Sequence, residues 1–274
     1  PDLTGLTVGI TADRRGDDQA VMFRRLGAEV VLAPVLTTVK LPHPDLLRRR
    51  TEEVIAAPPD YLIANTGVGM RTWMAAVEGW GLDRSLKAAL AVTRIAARGP
   101  KAAGALSSAG LGVWWRGRSE RLAEVADRLI DEGLEGRRVA FQLHGDDGTE
   151  LVDRLARAGA SVVTLPVYEW AAPDDPAPVR DLIELCRAGR VQAVTFTAGP
   201  QVVALIRAAA QAGMEAELRA AFTSGSVLAG CIGPVCASAA TAAGLTDPVV
   251  PANWRLGSLV KAVAEALDRR RRPG

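Results

Sequence analysis

Apolar and polar positions along this chain switch repeatedly between two periods, one of strands and one of helices. Residues 6–10 are a short apolar run that reads as a buried strand, with residues 11–15 as its loop. Ala20, Val21, Phe23 and Leu26 then recur at helical spacing until Gly27, with Asp17 or Asp18 available as the N-cap. Further strands are expected over residues 29–33, 61–64, 90–96, 112–115, 139–143, 193–196, 227–232 and 249–250. Helical patterns cover residues 46–57, the stretch through Met70, Trp73, Met74 and Val77, the stretch ending near Gly110, and a long amphipathic run from a Ser119 cap to Gly133. Later helices are expected over residues 150–158 behind a Thr149 cap, 179–188, about 203–212, the segment after Cys236, and 256–269. Strands alternating with helices predict an α/β fold with parallel sheets, whose ligand-ready loops lie at the strand C-termini.

The pattern is stated twice. Residues 27–38 (GAEVVLAPVLTT) and 159–170 (GASVVTLPVYEW) match at a displacement of 132 residues. Each reads as a helix-ending Gly, a β-branched strand, and a Pro that stops the pairing. Residues 61–67 (YLIANTG) match 193–199 (AVTFTAG) at the same displacement, and residues 99–111 match 233–245 at 134, with Gly-Pro and Gly-Leu ends aligned. A period this long excludes a solenoid and implies two similar α/β lobes. The copies of the first stretch differ after Pro-Val, where Leu36 stands in one and Tyr168 in the other.

Candidate chemistry sits in the loops. Residues 65–69, 98–101, 197–200 and 233–236 open helices, where free backbone N–H groups and the helix dipole suit phosphate or carboxylate. Gly67 and Gly69 lack the third glycine of a dinucleotide fingerprint, and no Walker lysine pattern occurs. Tight strand-to-helix turns explain any one of these loops equally well. Arg14, Arg15, Arg98 and Lys101 add charge there, or are solvated surface. Asp146 and Asp147 stand where a helix start attracts acids, so capping is favoured over a catalytic pair. Thr66, Thr197, Ser224 and Ser226 offer hydroxyls, but nothing resembles a nucleophile elbow. Tyr168 stands out at a strand exit after Pro166. A core aromatic is the general expectation there, and a phenol is also a weak acid able to donate a proton.

Composition narrows the class. With 49% hydrophobic and 23% charged residues over 274, the chain reads as a soluble globular protein of one large or two modest domains. A net charge of +2 argues against bulk nucleic-acid binding, and the arginine run 269–272 reads as a solvated helix end or linker before a nucleic-acid arm. Three cysteines without paired spacing suggest a reducing compartment, with Cys231 and Cys236 as small buried residues. Two separated histidines, His43 and His144, argue against a His-based metal site. No apolar run reaches membrane-spanning length and no signal peptide is recognisable, so a cytoplasmic protein is expected. The chain opens on Pro1 rather than Met, as a trimmed sequence would.

Taken in order, Thr11 with the arginines after it, Asn65-Thr66-Gly67, Gly99-Pro100-Lys101-Ala102, Leu165-Pro166-Val167-Tyr168, Phe196-Thr197-Ala198-Gly199, and the run from Cys231 through Gly233-Pro234-Val235 to Leu245 resemble the uroporphyrinogen-III synthase family over about residues 6–267. The resemblance implies two similar lobes with parallel sheets flanked by helices, joined by a two-stranded connector. Lobe one would hold residues 1–36 plus 172–274 and lobe two residues 41–166, with connectors at about 36–41 and 166–172. It implies a cofactor-free, metal-free reaction in a monomer: hydroxymethylbilane loses water, closes through a spiro intermediate, and emerges with ring D inverted. Holding a flexible tetrapyrrole so that the unusual carbon attacks is mainly a positioning task. Tyr168 matches the family's tyrosine, proposed to assist departure of the hydroxyl. Thr11, Arg14, Thr66, Gly67, Gly99, Lys101, Thr197, Ala198, Gly199, Gly233 and Pro234 would contact the substrate. Ala198 replaces a frequent Ser, Lys101 a common Thr and Cys236 a usual Thr, so three hydroxyls are lost. Longer relatives fuse this module to a C-terminal winged-helix DNA-binding domain. The alternative function is therefore a synthase-like sensor module that binds a tetrapyrrole or polyanion without turnover. No nucleic-acid contact is expected of this chain itself. A generic two-lobed small-molecule binder is a third option, disfavoured by the lack of a secretion signal.

Overall fold

The computed structural model describes residues 1–143, 145 and 148–271. In chain order the first half contains β1 (Thr7–Ile10), α1 (Gly16–Arg25), β2 (Glu29–Leu32), β3 (Thr37–Lys40), α2 (Pro44–Ala56), β4 (Tyr61–Ala64), α3 (Gly67–Gly79), α4 (Asp83–Leu90), β5 (Arg94–Ala97), α5 (Pro100–Ser108), β6 (Trp115–Arg116) and α6 (Leu122–Asp131). The second half contains β7 (Arg138–Gln142), α7 (Thr149–Arg157), β8 (Ser161–Leu165), β9 (Tyr168–Ala171), α8 (Ala177–Arg187), β10 (Ala193–Phe196), α9 (Gly199–Gln211), α10 (Glu215–Thr223), β11 (Leu228–Cys231), α11 (Pro234–Ala242) and α12 (Leu256–Arg271).

The chain forms two compact α/β units, one of residues 1–37 and 171–274 and one of residues 38–170. The first carries a four-stranded sheet ordered β11-β10-β1-β2, the second a five-stranded sheet ordered β6-β5-β4-β7-β8, and both are parallel. A separate two-stranded sheet pairs β3 with β9. Val8 of β1 lies opposite Ala193 of β10, and Val139 of β7 opposite Tyr61 of β4. Each sheet thus joins the opening of one sequence copy to the continuation of the other.

Four-residue strands suffice because both faces are buried, as parallel sheets require. Alternate side chains of β4 divide between two cores: Tyr61 and Ile63 pack with Val125, Leu129 and Phe141, while Leu62 and Ala64 pack with Leu47, Trp73 and Leu165. In the other unit, Val194 and Phe196 face Leu182 and Leu205, and Ala193 faces Val8, Phe23 and Val263.

Several local expectations change. Helix α1 starts at Gly16 behind Arg15 at φ 61, and Asp18 accepts from Arg15 Nε at 2.7 Å, so Asp17 and Asp18 occupy the first turn and do not cap it. Ser119 is no cap either: α6 begins three residues later, and the Glu124 carboxylate reaches back to the amides of Arg118 and Ser119 at 3.0 and 2.7 Å. Thr149 is already helical, with Gly148 at φ 64 in the cap position. These polar side chains had several backbone partners within reach, and local spacing does not choose among them. Residues 249–250 supply one parallel bridge, Val249 to Gly230, rather than a strand. Leu90 ends a helix, so the strand there starts at Arg94, and the expected strand over 112–115 shortens to Trp115–Arg116. The short helices α4 and α10 were not anticipated. They follow Gly81 and Gly213, both at positive φ, and so obey the 132-residue displacement. The arginine run continues α12 as far as Arg271, where Arg271 Nη1 donates to the Thr4 carbonyl at 3.1 Å. His144, Asp146, Asp147 and Arg272 lie outside the described residues.

Candidate functional site

In the 38–170 unit the site grows from the exit of β4. Thr66 is extended (φ −136, ψ 148) and its Oγ1 accepts from the Gly69 amide at 3.1 Å, which caps α3. Gln142 ends the neighbouring strand β7 and is completely buried. Its Oε1 accepts from the amides of Asn65 and Thr66 at 3.1 and 3.3 Å, and its Nε2 donates to Thr66 Oγ1 at 3.0 Å. The loop glycines make this closeness possible. A Cβ on Gly69 would stand 1.9 Å from Gln142 Nε2, and one on Gly67 would stand 2.4 Å from the Lys101 carbonyl oxygen. Gly67 therefore lets the starts of α3 and α5 meet. Beside it the Asn65 side-chain amide is buried, with no hydrogen-bond partner for either polar atom among the described residues.

Tyr168 opens β9 and is 4% exposed, packed in the core that contains Leu62, Trp73 and Val167. Its hydroxyl lies 3.4 Å from Thr66 Oγ1. Arg98, at the exit of β5, is half-buried; burial lowers its pKa, while the negative charge available from Tyr168 and Glu120 opposes that shift. Glu120 also crosses Gly99, where a Cβ would be 3.0 Å from Glu120 Cγ. Lys101 is exposed in the first turn of α5. Thr66, Gly67, Gly99 and Lys101 are thus gathered at the exits of the neighbouring strands β4 and β5, and Tyr168 meets Thr66 from the start of β9.

The remaining residues belong to the other unit. Thr11 Oγ1 donates to the Thr195 carbonyl at 2.7 Å and lies 3.3 Å from Gln201 Oε1. Gln201 reaches back from α9, accepting from the Thr197 amide at 2.7 Å and donating to Thr197 Oγ1 at 3.1 Å. Ala198 occupies the N-cap of α9 without a side-chain cap, and a Cβ on Gly199 would be 3.1 Å from Ala239 Cβ on α11. Gly233 lies under the half-exposed Trp254 ring, with 3.2 Å from a Cβ position to Trp254 Cγ, and Pro234 is exposed. Arg14 is exposed in the β1 exit loop. Cys231 and Cys236 are buried free thiols, and hydrogen bonding to Cys236 together with burial pushes Cys231 up. Ser224 and Ser226 bond each other and the Ala221 carbonyl.

Gln142 and Gln201 escaped the motif search. Their signal was a polar residue closing the apolar run of β7, and an exchange between the aligned copies: Gln142 stands where the other copy has Ile10, and Gln201 where the other copy has Gly69, each pair displaced by 132. Among the described residues, no group of three or more His, Cys, Asp or Glu side chains is placed to hold a metal ion. No helix there is long and apolar enough to cross a membrane.

Comparison with known proteins gives a consistent picture. A family model described as Uroporphyrinogen-III synthase HemD matches residues 17–261. The crystal structure of a mutant uroporphyrinogen III synthase from Thermus thermophilus is 32% identical, with 96% of this chain and 99% of that one covered at a TM-score of 0.80. The wild-type form from the same organism is 31% identical, with 97% and 99% covered at a TM-score of 0.64. A curated relative, the uncharacterized protein YjjA of Bacillus subtilis, is 27% identical over 267 residues, 96% of each chain.

Proposed function

Because the chain belongs to the uroporphyrinogen-III synthase HemD family, we propose that it is a cofactor-independent lyase that cyclises hydroxymethylbilane with loss of water and inversion of ring D. The observation that carries this reading is the setting of Tyr168, whose phenol is held against Thr66 with the Arg98 charge beside it. A phenol donates a proton to a departing hydroxyl more readily when the phenolate left behind meets a cation. A tetrapyrrole bearing many carboxylates also suits the starts of α3, α5, α9 and α11, which present backbone N–H groups at strand exits. Thr66, Gly67, Gly99 and Lys101 in one unit, and Thr11, Arg14, Thr197, Ala198, Gly199, Gly233 and Pro234 in the other, are the proposed contacts. Backbone amides at Ala198 and Gly199 do not depend on a side-chain hydroxyl, and the Lys101 charge offsets part of that loss.

The test is to supply hydroxymethylbilane generated in situ and resolve the uroporphyrin isomers after oxidation. Type III isomer is expected; type I alone, the spontaneous product, would sink the proposal. One observation favours a second reading, a polyanion-binding sensor without turnover: α9 has no side-chain cap at Ala198. In that case the protein would bind uroporphyrinogen yet leave the isomer ratio at the spontaneous value.

A further inference from the structure

Among the described residues, Asn65 is the one buried side chain whose donor and acceptor are both unbonded: it is 1% exposed, and neither Nδ2 nor Oδ1 has a partner. Gln142 satisfies the main-chain amide of Asn65 and leaves its side chain alone. Strand pairing fixes the neighbours. Ala64 lies opposite Ala97, and the Arg98 amide donates to the Ala64 carbonyl at 2.9 Å, so Asn65 and Arg98 are the next pair where β4 and β5 end. Both chains stay extended as far as Thr66 and Gly99. Alternation therefore puts Asn65 and Arg98 on the face that carries Ile63 and Ala96, with buried Leu143 on the other flank of Asn65. Arg98 is half-buried, and its guanidinium makes no hydrogen bond or ion pair among the described residues; Glu120 acts on it electrostatically without pairing.

The other copy shows that the fold does not require such a pair. There the Ile232 amide donates to the Phe196 carbonyl at 3.0 Å, the same bond, so Thr197 and Ile232 stand where Asn65 and Arg98 do. Thr197 is bonded to Gln201, and Ile232 is apolar. A buried carboxamide without partners and a half-buried guanidinium without a counter-ion both destabilise a fold, and an apolar residue would fill either place at less cost. We infer that Asn65 and Arg98 form a carboxylate-binding subsite at the joined exits of β4 and β5, with Asn65 as a specificity-determining residue. The guanidinium and Nδ2 are donors suited to one carboxylate, while Oδ1 accepts from an N–H. A pyrrole that carries a carboxylate side chain supplies both groups at once. Helices α3 and α5 begin directly after the two residues, and their N-terminal dipoles favour the same negative charge. The identity of the ligand as a tetrapyrrole rests on the synthase reading; its negative charge does not.

Asn65→Leu separates this role from packing. Removing an unbonded buried carboxamide is expected to leave the urea midpoint at or above the parental value, while KM for hydroxymethylbilane rises about tenfold with kcat within about twofold. Anaerobic calorimetry with uroporphyrinogen III needs no turnover, and its affinity should fall about tenfold in Asn65→Leu and in Arg98→Gln. Added salt should weaken binding less in Arg98→Gln than in the parent. The double variant should bind little more weakly than either single one, because both groups hold one carboxylate. Parental KM and affinity in Asn65→Leu overturn the inference, as does a lowered urea midpoint beside the loss, or losses that add in the double variant. Type I uroporphyrin alone, with uroporphyrinogen III affinity reduced in both single variants, upholds the subsite and removes the synthase reading. Type III product with parental affinity in both does the reverse. A parent that neither binds uroporphyrinogen III nor forms type III product overturns both.

Discussion

At the exit of the central strand of each sheet, an equivalent backbone amide is satisfied by a glutamine, yet the glutamine comes from different elements. In the 38–170 unit it is Gln142, on the neighbouring strand, reaching across Gly69 to the Asn65 amide. In the other unit it is Gln201, inside the helix at the position equivalent to Gly69, reaching back to the Thr197 amide. The duplication preserved satisfaction of a backbone donor rather than the residue that provides it, because an unpaired amide at a buried strand end costs about 1–3 kcal/mol in either copy. Free to diverge, the two exits took different work. With Gln142 arriving from the strand, Thr66 is pinned from behind and meets Tyr168 in front. The equivalents of Thr66 and Tyr168 in the other copy are Ala198 and Leu36, which have no such chemistry.

The sharpest break of the comparison is Tyr168→Phe. It keeps the ring in its core and removes the proposed proton donor, so turnover to the type III isomer should fall by about 10²-fold or more with the fold intact. Next come the glutamines. Gln142→Leu orphans two buried amides and is expected to cost about 2–4 kcal/mol, against about 1 kcal/mol for Gln201→Leu, whose Thr197 partner is half-buried. Urea midpoints at unchanged m report both. Adding Gly69→Gln to Gln142→Ile copies the other exit, and should recover part of the loss.

Equivalent glycines separate the units less strongly. Gly67→Ala drives a methyl to 2.4 Å from a backbone carbonyl that has nowhere to go, at an expected cost of about 2–3 kcal/mol. Gly199→Ala meets only the Ala239 methyl at 3.1 Å and gains helix propensity, so its effect should stay within about 1 kcal/mol. The smallest contrast is in acid. Asp60 braces the start of β7 by accepting from the Arg138 amide at 2.9 Å, and its equivalent Gln192 accepts from the Thr7 amide at 2.9 Å. The Arg138 amide and, less strongly, Arg137 lower the Asp60 pKa despite burial. That contribution is full above the ordinary aspartate value near ~3.9 and is lost as pH falls toward and through the lowered value. Because Asp60 is more than a third exposed, the loss should stay under about 1 kcal/mol. Asp60→Asn should flatten the acid limb of the stability curve, whereas Gln192→Asn should leave its slope unchanged.

Much of this molecule was legible in the chain. Apolar runs located the buried strands, since a parallel strand covered on both faces leaves a continuous apolar signature. The 132-residue displacement exposed the duplication, while the short helices after Gly81 and Gly213 were passed over in both copies. Glycine and proline at the loop ends marked the helix starts, because proline suits a first helical turn and a Cβ at Gly67 or Gly233 would press on a neighbour. The cap assignments at Asp17 or Asp18, Ser119 and Thr149 failed because a short polar side chain has several local backbone partners of similar energy.

Tertiary structure alone decided what surrounds Tyr168. The sequence determined that a tyrosine follows Pro166-Val167 in one copy and a leucine in the other. It could not determine that Gln142 stands behind Thr66, because that contact spans 76 residues and exists only once β7 pairs with β4. Hydrophobic pattern reports burial, a property of each residue with its near neighbours. Which buried amide meets which side-chain acceptor is a property of the assembled sheet, set by the strand pairing that brings Gln142 beside Thr66.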